Sequence, residues 1–223
     1  MRRITKTHAP QELLNWCHEN KDLNHTYKDL LGTKAHAVLK EKLIEEQGAL
    51  CAYTGRAIAD ATSHVEHLKP QNQCVGWEDV EYRNVVACFP ADGGDTSHGY
   101  GAPVKAGWWD EAKFVSPVAE DCERRFRFAW SGHIHPCPDD HEAAKKTIKI
   151  LDLDNKDLRD LRKARIDGFF GFGARTRNRP LSVADAKTAL ENIDRVDSSG
   201  RLREFCFVLK QLLPKYIAQE GGR

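Results

Sequence analysis

The run His64-Val65-Glu66-His67-Leu68-Lys69-Pro70 places a carboxylate directly before an imidazole and closes on a proline. Asn84 follows in Tyr82-Arg83-Asn84-Val85-Val86-Ala87-Cys88, and His98 in Ser97-His98-Gly99. Together they make a His…Asn…His series whose chemistry suits hydrolysis of a phosphodiester. Imidazole titrates near neutral pH, so His67 is the expected general base. Carboxylate oxygens suit a hard divalent cation, so Glu66, with His98, is expected to hold Mg²⁺ or a similar ion. Such an ion stabilises charge on the scissile phosphate and its leaving oxygen. Asn84 carries both donor and acceptor atoms and could orient the histidine or its loop; the same residue also suits an ordinary turn. His64 lies two residues before Glu66, so in a strand the two share a face. It is a candidate further ligand or phosphate contact, and equally a structural group.

Neighbouring segments extend the pattern. Cys51-Ala52-Tyr53-Thr54-Gly55 precedes it. After it come Phe114-Val115-Ser116-Pro117, then Asp121-Cys122-Glu123-Arg124-Arg125-Phe126-Arg127-Phe128 with Gly132, then Ile150-Leu151-Asp152-Leu153-Asp154 with Leu158 and Arg162. In this serial order the chain resembles the HNH nuclease superfamily, and within it the retron- and Septu-associated subunits called PtuB, over roughly residues 1–170. The resemblance implies an α+β fold, mostly helical, with an embedded ββα-metal core. The first strand would end in the acidic-His pair, a loop would carry the Asn, and a helix after the second strand would bear the last ligand. It also implies an anti-phage role, a PtuA-type ATPase as partner and, in retron-linked systems, a reverse transcriptase with its multicopy single-stranded DNA. The chain departs from the family where Thr54 and Gly99 stand in place of cysteines. Four-cysteine zinc ligation therefore cannot form there, and zinc is not expected. Cys51 and Cys88 are left to pack as small buried groups. Gly99, Gly101 and Pro103 are poor helix formers, so a helix following His98 has to be short or displaced.

These residues need a scaffold. A chain of 223 residues is long enough for a substantial core and is read as one nuclease protein: N-terminal helices over 10–48, a ββα core over 50–110 and a mainly helical region over 111–223. Pro10 with Leu13, Leu14 and Cys17 predicts one helix, and Leu39, Leu43 and Ile44 before Gly48 predict a second. Ser63–Leu68 and Asn84–Phe89 read as strands, and Phe126 and Phe128 alternate with Arg125 and Arg127. Helices are expected from His141, from Asp154 or Asn155 until Gly168, over 183–193 behind Ser182, and as an amphipathic stretch from Arg201 to Ile217. The Gly168–Gly173 stretch lacks the Lys-Ser/Thr ending of a phosphate-cradling loop and reads as a hinge or packing loop, with Arg175, Arg177 and Arg179 after it.

The charge balance is even: 34 Lys and Arg against 33 Asp and Glu, formal net charge +1. That gives little unspecific pull on nucleic acid and suits a subunit sharing its binding surface with a partner. The lysines and arginines at 145, 146, 149, 159, 162, 163 and 165 either follow a phosphate backbone or form solvated helix faces. Trp108 and Trp109 serve as core anchors or as stacking groups. His133 and His135 read as loop residues. The seven cysteines are scattered, and neither an apolar run behind Met1–Lys6 nor a membrane-length segment is seen, so a reducing cytoplasm is the expected compartment. A rival reading keeps the fold but not the chemistry: a catalytically decayed assembly or adaptor subunit, motivated by Thr54, Gly99 and the glycine-rich segment after His98. The terminal helices, about 10–48 and 182–217, would either complete the core or dock on the ATPase.

Overall fold

The computed structural model describes residues 1–22, 25–172 and 180–222, so Gly173, Arg175, Arg177 and Arg179 lie outside the described residues. The described chain is α+β, with eight α-helices and two small antiparallel sheets. Helix α1 (Gln11–Glu19) starts after Pro10, as read. Its Leu13 is buried, but Leu14 is 48 % exposed. A short helix not foreseen, α2 (Tyr27–Leu30), follows. Its start is held by Thr26, whose backbone N–H donates to Asp29 Oδ2 at 2.8 Å. Helix α3 (Lys34–Glu46) is capped by Thr33 and buries Leu39 and Leu43. Gly48 ends it at φ 60°, the left-handed turn that favours glycine.

Strands β1 (His64–His67) and β2 (Val85–Cys88) pair antiparallel, His64 opposite Cys88 and His67 opposite Val85. Gln47, just beyond α3, fastens this hairpin. Its amide donates to Leu50 O (2.7 Å) and Ala87 O (2.8 Å), and its carbonyl accepts from Ala87 N (2.8 Å). A buried primary amide so fully bonded has no desolvation cost left unmet. After β2 the chain makes a single helical turn, α4 (Ala102–Lys105), whose entry is tied by Gly101 N–H to Leu151 O at 2.7 Å. The expectation of a short helix after His98 holds.

A second hairpin, β3 (Phe126–Phe128) and β4 (Ile134–Pro136), buries Phe126 and Phe128 while Arg127 stays exposed, the alternation read from the sequence. It turns at Gly132, where φ is 83° and an added Cβ would lie 2.3 Å from Arg159 O. Helix α5 (Glu142–Ile150) follows, then α6 (Lys156–Phe170), whose N-cap Asn155 accepts from Asp157 N. Helix α6 runs through Gly168 and stops at Gly171, three residues later than read; Phe170 ends buried against Trp130 and Tyr216, which holds the last turn in place. Ser182 caps α7 (Val183–Asn192) as expected.

The last helix differs most from expectation. Helix α8 spans Cys206–Gly221, beginning five residues later than Arg201, and it is buried on most sides: Phe207, Val208, Leu209, Leu212, Leu213 and Tyr216 are all in the core. Leu202 N–H donates to Gly48 O and Phe205 N–H to Gly55 O, so the chain is tied to the segment between α3 and β1 before the helix begins. The Phe207 ring lies where a Cβ on Gly55 would be, 2.3 Å away. Of the two roles open to the C-terminal helix, completing the protein's own core is the one the packing bears out. Trp108 and Trp109 likewise pack on Phe114, as core anchors. The basic helix residues are largely paired: Lys145 with Glu142, Lys163 with Asp167 and Arg165 with Glu204. No described helix is long and apolar enough to cross a membrane.

Candidate active site

Strand alternation sets the geometry of the first hairpin. Along β1, His64 and Glu66 are part-exposed and Val65 and His67 are buried. Glu66 and His67, adjacent in sequence, therefore face opposite sides. His67 is only 5 % exposed. Its Nε2 lies 2.7 Å from Asp79 O. A carbonyl only accepts, so Nε2 carries the proton and Nδ1 the lone pair. Nδ1 is 3.4 Å from the Gln71 amide, and the ring stands edge-on to Tyr27 with centroids 4.5 Å apart. Burial lowers the pKa of His67, and the Asp79 carbonyl and nearby carboxylates only partly offset it. The imidazole is thus a neutral base whose unprotonated Nδ1 faces the Gln71 amide rather than open solvent.

Glu66 meets a different set of groups. Its Oε1 accepts from Lys105 Nζ at 3.0 Å and from Tyr53 OH at 3.3 Å, and its Oε2 lies 3.5 Å from His64 Nε2. Burial opposes ionisation of Glu66, but His64 and Lys105 outweigh it and hold the pKa below the ordinary value. His64 also donates from Nδ1 to Pro90 O at 2.5 Å. Burial works against its charge; Glu66 and the Pro90 carbonyl outweigh that and raise its pKa. Lys105 was missed from sequence. A single lysine in a Gly/Pro-interrupted segment carries no signal, yet its ammonium is 1 % exposed and also donates to His67 O at 2.8 Å.

Asn84 acts on the loop joining the strands. Its Oδ1 accepts from Lys69 N at 2.8 Å, while Nδ2 donates to Glu78 O at 2.9 Å and Lys69 O at 3.2 Å. The amide clamps both ends of the segment between Lys69 and Glu78 beneath His67. Of the two roles read for Asn84, it takes that of holding the loop.

Among the described residues no ion pair joins His98 to Glu66. His98 lies between the rings of Phe89 and Tyr100, at centroid distances of 5.3 and 5.7 Å. Arg56 covers the other side of this group, its guanidinium 4.0 Å from the Phe89 centroid and bonded to Tyr100 OH at 2.5 Å. Among the described residues no three His, Cys, Asp or Glu side chains converge as a metal site requires. With Glu66 engaged by Lys105, Tyr53 and His64, and His98 held against Phe89 and Tyr100, this arrangement does not fit a divalent ion shared by Glu66 and His98.

Cys51 and Cys88 are buried side by side. The Cys51 sulfur accepts from Phe89 N–H at 3.4 Å and is further bonded by the Cys88 thiol and by Thr54. Burial raises its pKa, but these donors prevail and bring it down to about 6, while the Cys88 thiol is pushed up by burial and by Cys51. Thr54 thus bonds the sulfur as a hydroxyl.

Beyond the hairpin, His133 and His135 are not the loop residues expected: His135 lies in β4, His133 directly before it, and both are part-buried. His133 Nδ1 pairs with Asp154 Oδ2 at 2.9 Å, and Asp154 Oδ1 accepts from Ile134 N. Arg162, 2 % exposed, donates to Gly132 O at 2.6 Å and faces Asp154 at 3.7 Å. Gly132, Asp154 and Arg162, far apart in sequence, therefore form one structural joint between the second hairpin and α6. No family model matches the chain, and no curated protein matches it either.

Proposed function

We propose that this chain is an HNH-type, metal-dependent endonuclease that hydrolyses nucleic-acid phosphodiester bonds, acting as effector subunit of an ATPase-coupled anti-phage complex. The observation that carries the reading is the Asn84 clamp. A strand ending in Glu66-His67, a loop closed on itself by Asn84, a second strand and a one-turn helix follow one another in the order that the resemblance implies. His67 would take the proton of the attacking water on Nδ1, the nitrogen left free by the bond to Asp79. Gln71 stands in front of that nitrogen and would give way to the water. Asn84 would hold the loop that carries both Gln71 and Asp79. The divalent requirement is part of the proposal, although Glu66 and His98 as arranged do not hold an ion, and no step is assigned to one. A PtuA-type ATPase, and in a retron-linked system the reverse transcriptase with its multicopy DNA, would supply the nucleic-acid grip that a net charge of +1 does not.

A second reading, the assembly subunit without catalysis, is favoured by one specific observation. Both ring nitrogens of His67 are engaged and Glu66 is neutralised by Lys105. Co-expression with a PtuA-type ATPase, followed by incubation with single- and double-stranded DNA and RNA in Mg²⁺ or Mn²⁺, separates the two. Internal cleavage by the complex, lost on chelation, is the expected result. A complex that assembles but leaves every substrate intact, with and without a nucleotide, supports the assembly role instead.

A further inference from the structure

We infer that Lys105 is the resident cation of the first hairpin: its ammonium sits where Glu66 would otherwise hold a divalent ion, and it must withdraw before such an ion can bind there. Three observations carry this. The Nζ is buried to 1 % exposure and its donors are directed at Glu66 Oε1 (3.0 Å) and His67 O (2.8 Å), so it joins the carboxylate to the backbone of the histidine. The oxygen it occupies also accepts from Tyr53 OH, and the second oxygen faces His64 at 3.5 Å, so three side chains already crowd the carboxylate a metal would need. Mg²⁺ requires an octahedron of oxygens at about 2.0–2.1 Å. An ion at that distance from Oε1 would crowd an ammonium 3.0 Å from the same atom, two cations on one carboxylate oxygen.

The third observation lies in the backbone that delivers Lys105. Helix α4 is a single turn flanked by Gly101 at φ 78° and Ala106 at φ 45°, ψ −131°. The second conformation is one that residues with a Cβ rarely adopt, and it persists only where the surroundings enforce it. Ala106 N–H to Ala102 O at 3.3 Å, Trp108 N–H to Lys105 O at 3.0 Å and the bonds of the Lys105 ammonium together hold it there. Withdrawal of the ammonium would let Ala106 relax, so the strain opposes the lock and lowers the cost of opening it. A partner that displaces α4 would then expose Glu66 to a divalent ion. This regulatory consequence rests on the phosphodiesterase reading; the cation assignment itself is tested by metal binding and not by cleavage, so the two fail separately.

The experiment is a titration of the full chain with Mn²⁺, counting free ion by electron paramagnetic resonance, in wild type, Lys105→Gln and Lys105→Gln/Glu66→Gln. The wild type should bind no stoichiometric Mn²⁺ at this site. Lys105→Gln should gain one equivalent with at least tenfold higher affinity than the wild type, and Glu66→Gln should remove it. One equivalent bound by the wild type and lost in Glu66→Gln overturns the inference, as does a folded Lys105→Gln chain that gains nothing. Should Lys105→Gln not fold, ¹⁵N-lysine spectra of the wild type decide: a buried ammonium signal unaffected by one equivalent of Mn²⁺ supports the lock, and its broadening at that ratio overturns it.

Discussion

At the scale of the residue, burial decides which protons are available. Lys6 shows this most simply. Its Nζ lies 4.1 Å over the Tyr82 ring, has no hydrogen-bond partner among the described residues, and burial brings its pKa down to about 8, with Glu46 opposing only in part. A folded-state pKa below the unfolded value of 10.5 means that the charged form is disfavoured in the fold. The resulting penalty is full below pH 8 and is relieved as pH rises toward 10.5, because the unfolded chain then binds more protons than the folded one. Lys6→Met should therefore raise stability at pH 7 by about 2 kcal/mol, after allowance for the lost contact with Tyr82, and the gain should shrink at pH 10. Urea unfolding of both proteins at the two pH values checks it; an equal gain at both would show that packing, not charge, is responsible. The same scale sets the limit of sequence reading. Glu66, His67 and Asn84 were legible because their types and order are unusual. Lys105 and Gln71 were not, since a lone lysine or glutamine gains its meaning only from what burial places beside it.

At the scale of the element, side-chain clamps and tight turns position the hairpin. Asn84→Ala would leave Lys69 N and Glu78 O without their partner. A loss of about 2 kcal/mol is expected, with faster amide exchange confined to residues 69–78. Uniform loss of protection across the protein would contradict the clamp. Gly132→Ala should cost more than about 2 kcal/mol, because φ is 83° and the new methyl would meet the backbone of α6 at Arg159. Ala106→Gly should do the reverse and stabilise by about 1 kcal/mol, since glycine adopts φ 45°, ψ −131° freely. Thermal unfolding of the two variants gives the signs directly. Elements with strong local signals were legible: the Pro10 start, the Gly48 stop, the Asn155 and Ser182 caps and the Phe126/Phe128 alternation all stand where read. Helix α6 outran its glycine because Phe170 gains a buried position against Trp130 and Tyr216. Adjacent placement of Glu66 and His67 could be read, but their opposite facing depends on β1 being a regular strand up to His67.

At the scale of the whole molecule, α8 is the keystone of the core and not a free docking face. The Arg201–Ile217 periodicity suggested one apolar side, whereas tertiary packing buries Phe207, Leu209, Leu212, Leu213 and Tyr216 around the helix, and only long-range contacts from Gly48 and Gly55 could have foretold it. A chain ending at residue 181 should consequently show no cooperative thermal transition; a sharp one would mean that the first hairpin folds without α8. The net charge of +1 and the paired basic helices give this chain little unspecific pull on nucleic acid; under the proposed function a partner would supply that grip, so the complex is the material in which activity is to be tested. The account turns on His67 as the neutral base of a phosphodiesterase. The most direct test is the cleavage rate of the ATPase complex carrying His67→Ala, beside a wild-type complex of equal composition. A fall of about 10²- to 10⁴-fold in a complex that still assembles is the predicted result; cleavage at the wild-type rate would contradict the account.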